Sequence, residues 1–124
     1  GPAPNTSTAG LVGTTAALLP IYKKYFVETN LTTSIRVAPK LSAENFWLYK
    51  EYTNMDMNDV IDMISVIYKW IDQSISFEWM IDPARVSPAE LYSYYFKAWR
   101  QGVKTVYYVR SLSAEVEGCV SCSG

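Results

Sequence analysis

Two adjacent phenols and a closely spaced pair of thiols lie near the end of the sequence. The phenols are Tyr107 and Tyr108, in the segment Lys-Thr-Val-Tyr-Tyr-Val-Arg, and the thiols are Cys119 and Cys122. Adjacent phenols can relay a redox equivalent, and a dithiol on a terminal segment can carry reducing power into and out of a site. The order and closeness of the two pairs therefore favour a role in electron transfer.

Each pair also has an ordinary structural interpretation. Adjacent tyrosines on a strand usually pack in a core or against a neighbouring strand. A C-x-x-C pair near a terminus is compatible with a metal site, a disulfide or a redox role. The sequence contains no histidine, so a zinc site of the usual kind would lack its ligands.

Composition limits the classes of protein that fit. A chain of 124 residues corresponds to one domain or a piece of one. Hydrophobic residues make up 49% and aromatic residues 15% of it, which excludes disorder and predicts more apolar surface than so small a chain can bury alone. We find no internal repeat, no catalytic-triad set and no nucleotide-binding fingerprint of the P-loop or G-x-G-x-x-G type.

Charge and hydropathy predict a chain without nucleic-acid or membrane partners. The formal net charge is −1 and the basic residues are scattered, which argues against a nucleic-acid groove and against an anionic membrane surface. No apolar run reaches the roughly 18 residues that a membrane span needs. The start lacks the charged-then-apolar order of a signal peptide. A reducing cytoplasm, or a host cytoplasm for a viral protein, is the simplest predicted location.

The elements that must position the tyrosines have clear local signals. Ser87, Pro88 and Glu90 have the order of a capping box with proline at the first helical position, and Gly102 suits the left-handed position that ends a helix. Residues 103–110, with β-branched and aromatic side chains, predict a strand that follows this helix. Residues 111–124 are small, acidic and unpatterned, which predicts a flexible tail.

A second helix is predicted over residues 58–71. Its polar side chains recur at steps of three and four and form one narrow stripe, whereas the remaining positions are apolar. The stripe consists of Asn58, Asp62, Ser65, Lys69 and Asp72. A helix that is apolar around most of its circumference belongs inside a large protein. This pattern predicts that the chain is a fragment of one.

Upstream segments give weaker signals. Residues 4–15 are rich in hydroxyl and small side chains and predict a loop, which could accept an anion through open N–H groups or could be a turn-rich linker. Residues 20–40 predict irregular structure with a short extended stretch at residues 35–37. Residues 43–52 predict a short helix capped by Ser42.

Four stretches in this order resemble the C-terminal part of the large (catalytic, alpha) subunit of class I ribonucleotide reductases. One is similar to the substrate-phosphate loop, one to a helix-ending segment, one to the radical-transfer strand and one to the redox-active tail of that family. They are Ala3-Pro4-Asn5-Thr6-Ser7-Thr8, Trp70 to Ser76 with Asp82-Pro83 beyond it, Gly102 to Tyr108, and Cys119 with Cys122. The resemblance covers nearly all of the chain.

The resemblance implies a fold and a chemistry. The fold is α/β: the C-terminal portion of a ten-stranded α/β barrel, itself mostly helical with a few short strands, over residues 1–110, followed by a redox-active tail over residues 111–124. The activity is that of a ribonucleoside-diphosphate reductase, which makes deoxyribonucleotides by radical chemistry. The partner small subunit is expected to hold a dimetal (iron or manganese) radical cofactor, whereas this chain is expected to hold none.

The resemblance also implies roles for particular residues. Tyr107 and Tyr108 carry the radical, and Cys119 with Cys122 form a dithiol that thioredoxin or glutaredoxin recharges. Pro4, Asn5, Thr6, Ser7 and Thr8 contact the ribonucleotide substrate. The thiyl cysteine and the reducing cysteine pair of the family have no counterpart here, so the chain is expected to be inactive until the N-terminal portion of the large subunit joins it.

Two other functions fit the residues. The chain could be a stand-alone thiol redox or interaction module that uses its C-x-x-C pair. That reading is disfavoured because thioredoxin-type motifs lie at a helix start beside a strand. It could also be an inert structural remnant.

Overall fold

The computed structural model describes residues 1–29 and 33–111. Within these ranges, three α-helices and four β-strands follow one another in the order α1, β1, β2, α2, β3, α3, β4. Their bounds are Thr6–Val12 (α1), Tyr25–Thr29 (β1), Thr33–Val37 (β2), Met57–Tyr68 (α2), Glu78–Ile81 (β3), Pro88–Arg100 (α3) and Tyr108–Ser111 (β4). Two short 3-10 helices, Phe46–Leu48 and Tyr52–Asn54, precede α2.

The strands form two separate two-stranded sheets. Strands β1 and β2 are antiparallel, whereas β3 and β4 are parallel, with Glu78 opposite Tyr108 and Ile81 opposite Ser111. A parallel pair needs a crossover connection, and α3 supplies it. The described residues are therefore a mixed helix and strand structure that includes a β-α-β unit, and their sheets are not closed into a barrel.

The core lies between α2, β3 and the turn before α2. Its fully buried side chains are large and mostly apolar, and they come from these three segments and from the connection between α2 and β3: Tyr52, Val60, Ile61, Ile64, Ile75, Phe77 and Trp79. Trp79 is in ring contact with Tyr95 of α3, with centroids 4.5 Å apart. This contact joins the crossover helix to the strand that it covers.

Helix α2 confirms the predicted helix over residues 58–71, although it begins at Met57 and ends at Tyr68. The side chain of Asp56 accepts a hydrogen bond from the Asn58 N–H and so caps the first turn. Other residues of the described part of the chain bury one face of α2. On the rest of its surface, Val66 is 53% exposed, and Trp70, just beyond the helix, is 84% exposed. The predicted excess of apolar surface is therefore present.

Helix α3 has the predicted ends. The Ser87 side chain accepts from the Glu90 N–H while the Glu90 carboxylate accepts from the Ser87 N–H, so both halves of the capping box are formed. Gly102 adopts φ +81°, the left-handed conformation that side chains disfavour. The chain therefore turns sharply there and enters the segment that leads to the tyrosines.

Two predictions for the N-terminal half were wrong. Residues 4–15 are not a loop, because Thr6–Val12 forms a helix that buries Ala9 and ends at Gly13 with φ +68°. Residues 20–40 are not irregular, because β1 and β2 form a regular hairpin. The extended stretch predicted at residues 35–37 lies within β2.

The helix predicted over residues 43–52 is present only as the three-residue 3-10 helix Phe46–Leu48. The Asn45 side chain accepts from the Ser42 N–H (2.7 Å) and donates to the Lys40 carbonyl (2.8 Å), and these bonds hold a turn before it. Ser42 therefore does not cap a helix. Tyr52 lies at the start of a 3-10 helix, and its N–H donates to the Ile21 carbonyl (2.8 Å).

The strand predicted over residues 103–110 is shorter than expected. Val103 is buried in the core, and its N–H donates to the Ala98 carbonyl (3.0 Å), so the chain first packs against α3. Pairing with β3 begins only at Tyr108. Among the described residues, no helix has both the length and the apolar character needed to cross a membrane.

Candidate functional site

The two adjacent tyrosines are in direct ring contact. The ring centroids of Tyr107 and Tyr108 lie 4.3 Å apart with an interplanar angle of 60°, and the side chains are 56% and 46% exposed. Successive side chains of a regular strand point to opposite faces, so such a contact requires a break in extended geometry. Tyr107 lies outside the regular strand, because β4 begins at Tyr108.

The neighbouring Tyr108 changes the pKa of the Tyr107 phenol. A hydrogen bond with the Tyr108 side chain, together with the charge that Tyr108 would carry, raises the pKa of Tyr107. Protonated Tyr107 is therefore favoured while the pair is in contact.

The backbone before the pair is held by bonds to other elements. The Tyr107 N–H donates to the Phe77 carbonyl (2.8 Å), one residue before β3. The Tyr68 hydroxyl, at the end of α2, donates to the Thr105 carbonyl (3.2 Å) and accepts from the Ile75 N–H (3.1 Å). These bonds fix the approach to Tyr107 from two sides.

A carboxylate and a guanidinium lie on the same sheet as the tyrosines. Arg110 Nε donates to Glu78 Oε2 (2.7 Å) and Arg110 Nη2 donates to Glu78 Oε1 (3.2 Å), so the ion pair is bidentate. The hydrogen bond to Glu78 raises the pKa of Arg110. Arg110 Cζ also lies 5.4 Å from the centroid of the Tyr108 ring.

Two further tyrosines also hold Glu78. The Tyr22 hydroxyl donates to Glu78 Oε2 (3.0 Å), and the Tyr52 hydroxyl donates to the Glu78 carbonyl (2.6 Å). Burial raises the pKa of Tyr22, and the negative charge of Glu78 raises it further. Burial also raises the pKa of Tyr52. Both phenols therefore stay protonated and act as donors to Glu78.

Sequence reasoning missed Glu78, Arg110, Tyr22, Tyr52 and Tyr68 as parts of this arrangement. Two signals could have indicated the ion pair. The first is that Glu78 is the only carboxylate in the apolar run Phe-Glu-Trp-Met-Ile. The second is that Arg110 follows Tyr108 by two positions, which places Arg110 and Tyr108 on the same face of a strand. The register that brings Glu78 opposite Tyr108 has no signal in the sequence.

The predicted substrate-binding residues lie on a different element. Pro4, Asn5, Thr6, Ser7 and Thr8 are all exposed, and the last three form the first turn of α1. The Asn5 side chain accepts from the Ala17 N–H (2.8 Å), which ties the start of α1 to the segment beyond it. Among the described residues, no hydrogen bond or ring contact joins these side chains to the tyrosine pair.

The two predicted redox cysteines belong to the segment after β4. Cys119 and Cys122 lie outside the described residues. Within residues 1–29 and 33–111, no group of three histidine, cysteine, aspartate or glutamate side chains could hold a metal ion.

Comparison with known proteins identifies similar sequences. The sequence profile of the family described as "Ribonucleotide reductase, barrel domain" matches residues 1–109. The ribonucleoside-diphosphate reductase subunit alpha of Helicobacter pylori is 38% identical over 93% of this chain, and that of Treponema pallidum is 37% identical over 98%. The corresponding Synechocystis protein is 29% identical over 98% of this chain.

The chain spans only a small part of these relatives. It covers 15% of the Helicobacter protein, 14% of the Treponema protein and 18% of the Synechocystis protein. The similarity therefore extends over nearly all of this chain and less than a fifth of each relative.

The contact between the phenols predicts a titration that depends on both. Replacing Tyr108 with phenylalanine removes the hydrogen-bond partner of Tyr107, so the pKa of Tyr107 should fall towards the ordinary phenol value of about 10. ¹³Cζ-tyrosine NMR over an alkaline pH series would measure this shift. Tyr92→Phe, an exposed tyrosine on α3, is the control and should leave the Tyr107 titration unchanged. An unchanged Tyr107 pKa in Tyr108→Phe would contradict the coupling.

Proposed function

This chain belongs to the ribonucleotide reductase family and corresponds to a C-terminal part of the large subunit, and we propose that it carries the last radical-transfer tyrosines of that enzyme. The named relatives are ribonucleoside-diphosphate reductases, so the family is enzymatic. In this proposal the chain reduces ribonucleotides to deoxyribonucleotides once it is joined with its N-terminal portion and a radical-generating small subunit. Completion of a ten-stranded barrel by the N-terminal portion is part of the same proposal.

The observation that carries the proposal is the ring contact between Tyr107 and Tyr108. A tyrosyl radical on one ring can take an electron and a proton from the neighbouring phenol, which leaves the first phenol restored and the radical on the second ring. The exchange moves one electron and one proton from one phenol to the other, so no further reactant is needed. The 4.3 Å separation of the ring centroids suits a transfer of this kind.

Exposed apolar side chains support assembly with a larger protein. Val66 on α2, Trp70 just after it and Leu11 on α1 are more than half exposed. Burying such side chains stabilises a complex by roughly 25 cal/mol per Å² of apolar area. We infer that the N-terminal portion of the large subunit covers part of this surface and supplies the cysteines on which the radical chemistry depends.

The substrate and the reductant complete the proposal. The exposed hydroxyls of Thr6, Ser7 and Thr8, with the neighbouring Pro4 and Asn5, bind the substrate phosphates as hydrogen-bond donors. Cys119 and Cys122 form a dithiol that reduces the active-site disulfide, and thioredoxin or glutaredoxin then reduces it again. The small subunit supplies the radical from its dimetal centre, and the proposed location is the cytoplasm.

Phenylalanine at either tyrosine tests the radical path. Tyr107→Phe and Tyr108→Phe keep the ring and its packing but remove the redox-active hydroxyl. In the enzyme reconstituted with its N-terminal portion and small subunit, each change should abolish essentially all turnover while substrate affinity is kept. Tyr25→Phe, an exposed tyrosine on the hairpin, is the matched control and should remain active. Normal turnover in either of the first two variants would remove that tyrosine from the path, and activity of the chain alone would overturn the fragment assignment.

Alanines at Thr6, Ser7 and Thr8 test the substrate site. The triple variant removes three hydroxyl donors from the first turn of α1 but keeps a helix-forming sequence. Substrate affinity of the reconstituted enzyme, measured by equilibrium binding, should fall, whereas assembly measured by gel filtration should not change. A triple alanine variant that binds substrate normally would place the phosphates elsewhere.

Serines at Cys119 and Cys122 test the dithiol. Thiol exchange requires a thiolate and a resolving thiol, and serine provides neither. The double variant should lose multiple turnover with thioredoxin or glutaredoxin as reductant, yet a pre-reduced enzyme should complete a single round, as measured by rapid quench. Sustained turnover with a protein reductant would eliminate the shuttle role.

A further inference from the structure

Three charged or phenolic groups share one face of the β3–β4 sheet. In the register of the parallel pair Glu78 lies opposite Tyr108, and Arg110 follows Tyr108 by two residues along β4. Side chains at such positions point to the same side of a sheet. The side-chain contacts are consistent with this arrangement, because Arg110 contacts both the Glu78 carboxylate and the Tyr108 ring.

We propose that Glu78 and Arg110 are positioning residues for Tyr108, with Glu78 holding the Arg110 guanidinium over the Tyr108 ring so that the ring keeps its contact with Tyr107 beside a fixed positive charge. The inference rests on the proposed radical function for its consequence in turnover. The structural part of the inference, that Glu78 fixes the positive charge of Arg110 beside Tyr108, does not depend on the radical function.

The geometry of the ion pair favours a fixed guanidinium. Two N–H groups of Arg110 donate to the two carboxylate oxygens of Glu78, at 2.7 Å and 3.2 Å, which sets the plane of the guanidinium as well as its distance. The Glu78 side chain is 15% exposed and the Arg110 side chain 31% exposed, so solvent screens this pair less than an ion pair on the open surface.

Glu78 is itself held in place. The Tyr22 hydroxyl donates to the same oxygen, Oε2, that accepts from Arg110 Nε. The Tyr52 hydroxyl donates to the Glu78 carbonyl, and the Tyr22 and Tyr52 rings lie 6.2 Å apart. Tyr52 is buried in the core and so anchors the Glu78 backbone, whereas Tyr22 and Arg110 hold the Glu78 carboxylate.

Arginine is suited to this role in a way that lysine is not. Its planar guanidinium can donate a two-pronged bond to a carboxylate in the plane and present its face to an aromatic ring. Lysine retains the positive charge but offers a compact ammonium without that fork. Arg110→Lys therefore separates the charge near Tyr108 from the geometry that fixes it.

A titratable probe at position 108 tests the inference without relying on catalysis. Tyr108 is replaced with 3-nitrotyrosine in the full chain assembled with its N-terminal portion, and the nitrophenolate absorbance is followed against pH. A positive charge about 5 Å away in water favours the phenolate by roughly half a pKa unit, so Arg110→Gln should raise the nitrophenol pKa by about 0.5 or more. Arg110→Lys should keep the parent value more closely.

Arg100 provides a matched control. Its guanidinium also lies near an aromatic ring, that of Phe96 on α3, at 5.9 Å. Arg100→Gln removes the same charge from the chain and should leave the nitrophenol pKa at position 108 unchanged. An equal shift in Arg100→Gln and Arg110→Gln would overturn the inference, as would no shift in Arg110→Gln.

Turnover separates this inference from the proposed function. In the reconstituted enzyme with Tyr108 intact, Arg110→Gln and Glu78→Gln should each lower kcat about tenfold with the KM for nucleotide unchanged, because substrate binding lies elsewhere. Arg110→Lys should also lower kcat, since the fork is lost. If Tyr108→Phe is fully active, the radical function fails, and the nitrophenol shift alone then decides whether the ion pair positions Tyr108. Parent-like kcat in Glu78→Gln, with Tyr108→Phe inactive, would overturn the inference.

Discussion

The candidate site depends on the parallel pairing of β3 with β4. This pairing brings Tyr108 and Arg110 beside Glu78, residues that are about 30 positions apart in the sequence. It is possible because α3 carries the chain back from the end of β3 to the start of β4, and because Trp79 of β3 packs against Tyr95 of α3. The sheet thus couples the hydrophobic core directly to the exposed tyrosines.

The site also combines a rigid base with an open outer surface. Phe77 and Trp79 are fully buried, whereas Tyr107 and Tyr108, which lie against the same strand, are about half exposed. Exposure of this kind fits the proposed exchange of electrons with a partner across an interface. Buried neighbours keep the two rings in register while leaving their outer surface free for a partner.

Local signals were enough where the interactions are local. The ends of α3 follow from Ser87, Glu90 and Gly102, whose bonds and backbone conformations involve only neighbouring residues. Local signals failed in two upstream segments. Asn45 bonds to the backbone of Lys40 and Ser42 and holds a turn at the start of the segment where the pattern predicts a helix. Thr6 begins a helix in a segment whose composition predicts a loop.

The sequence by itself determined the family, the capped helix that leads to the tyrosines and the adjacency of Tyr107 and Tyr108. It also required that the backbone depart from extended geometry if the two rings were to meet, because successive strand side chains point apart. Only the tertiary structure decided that β4 begins at the second tyrosine and that Arg110 binds Glu78 there. The physical reason is range: capping and side-chain alternation act over a few residues, whereas strand register and ion pairing are set by packing between distant segments.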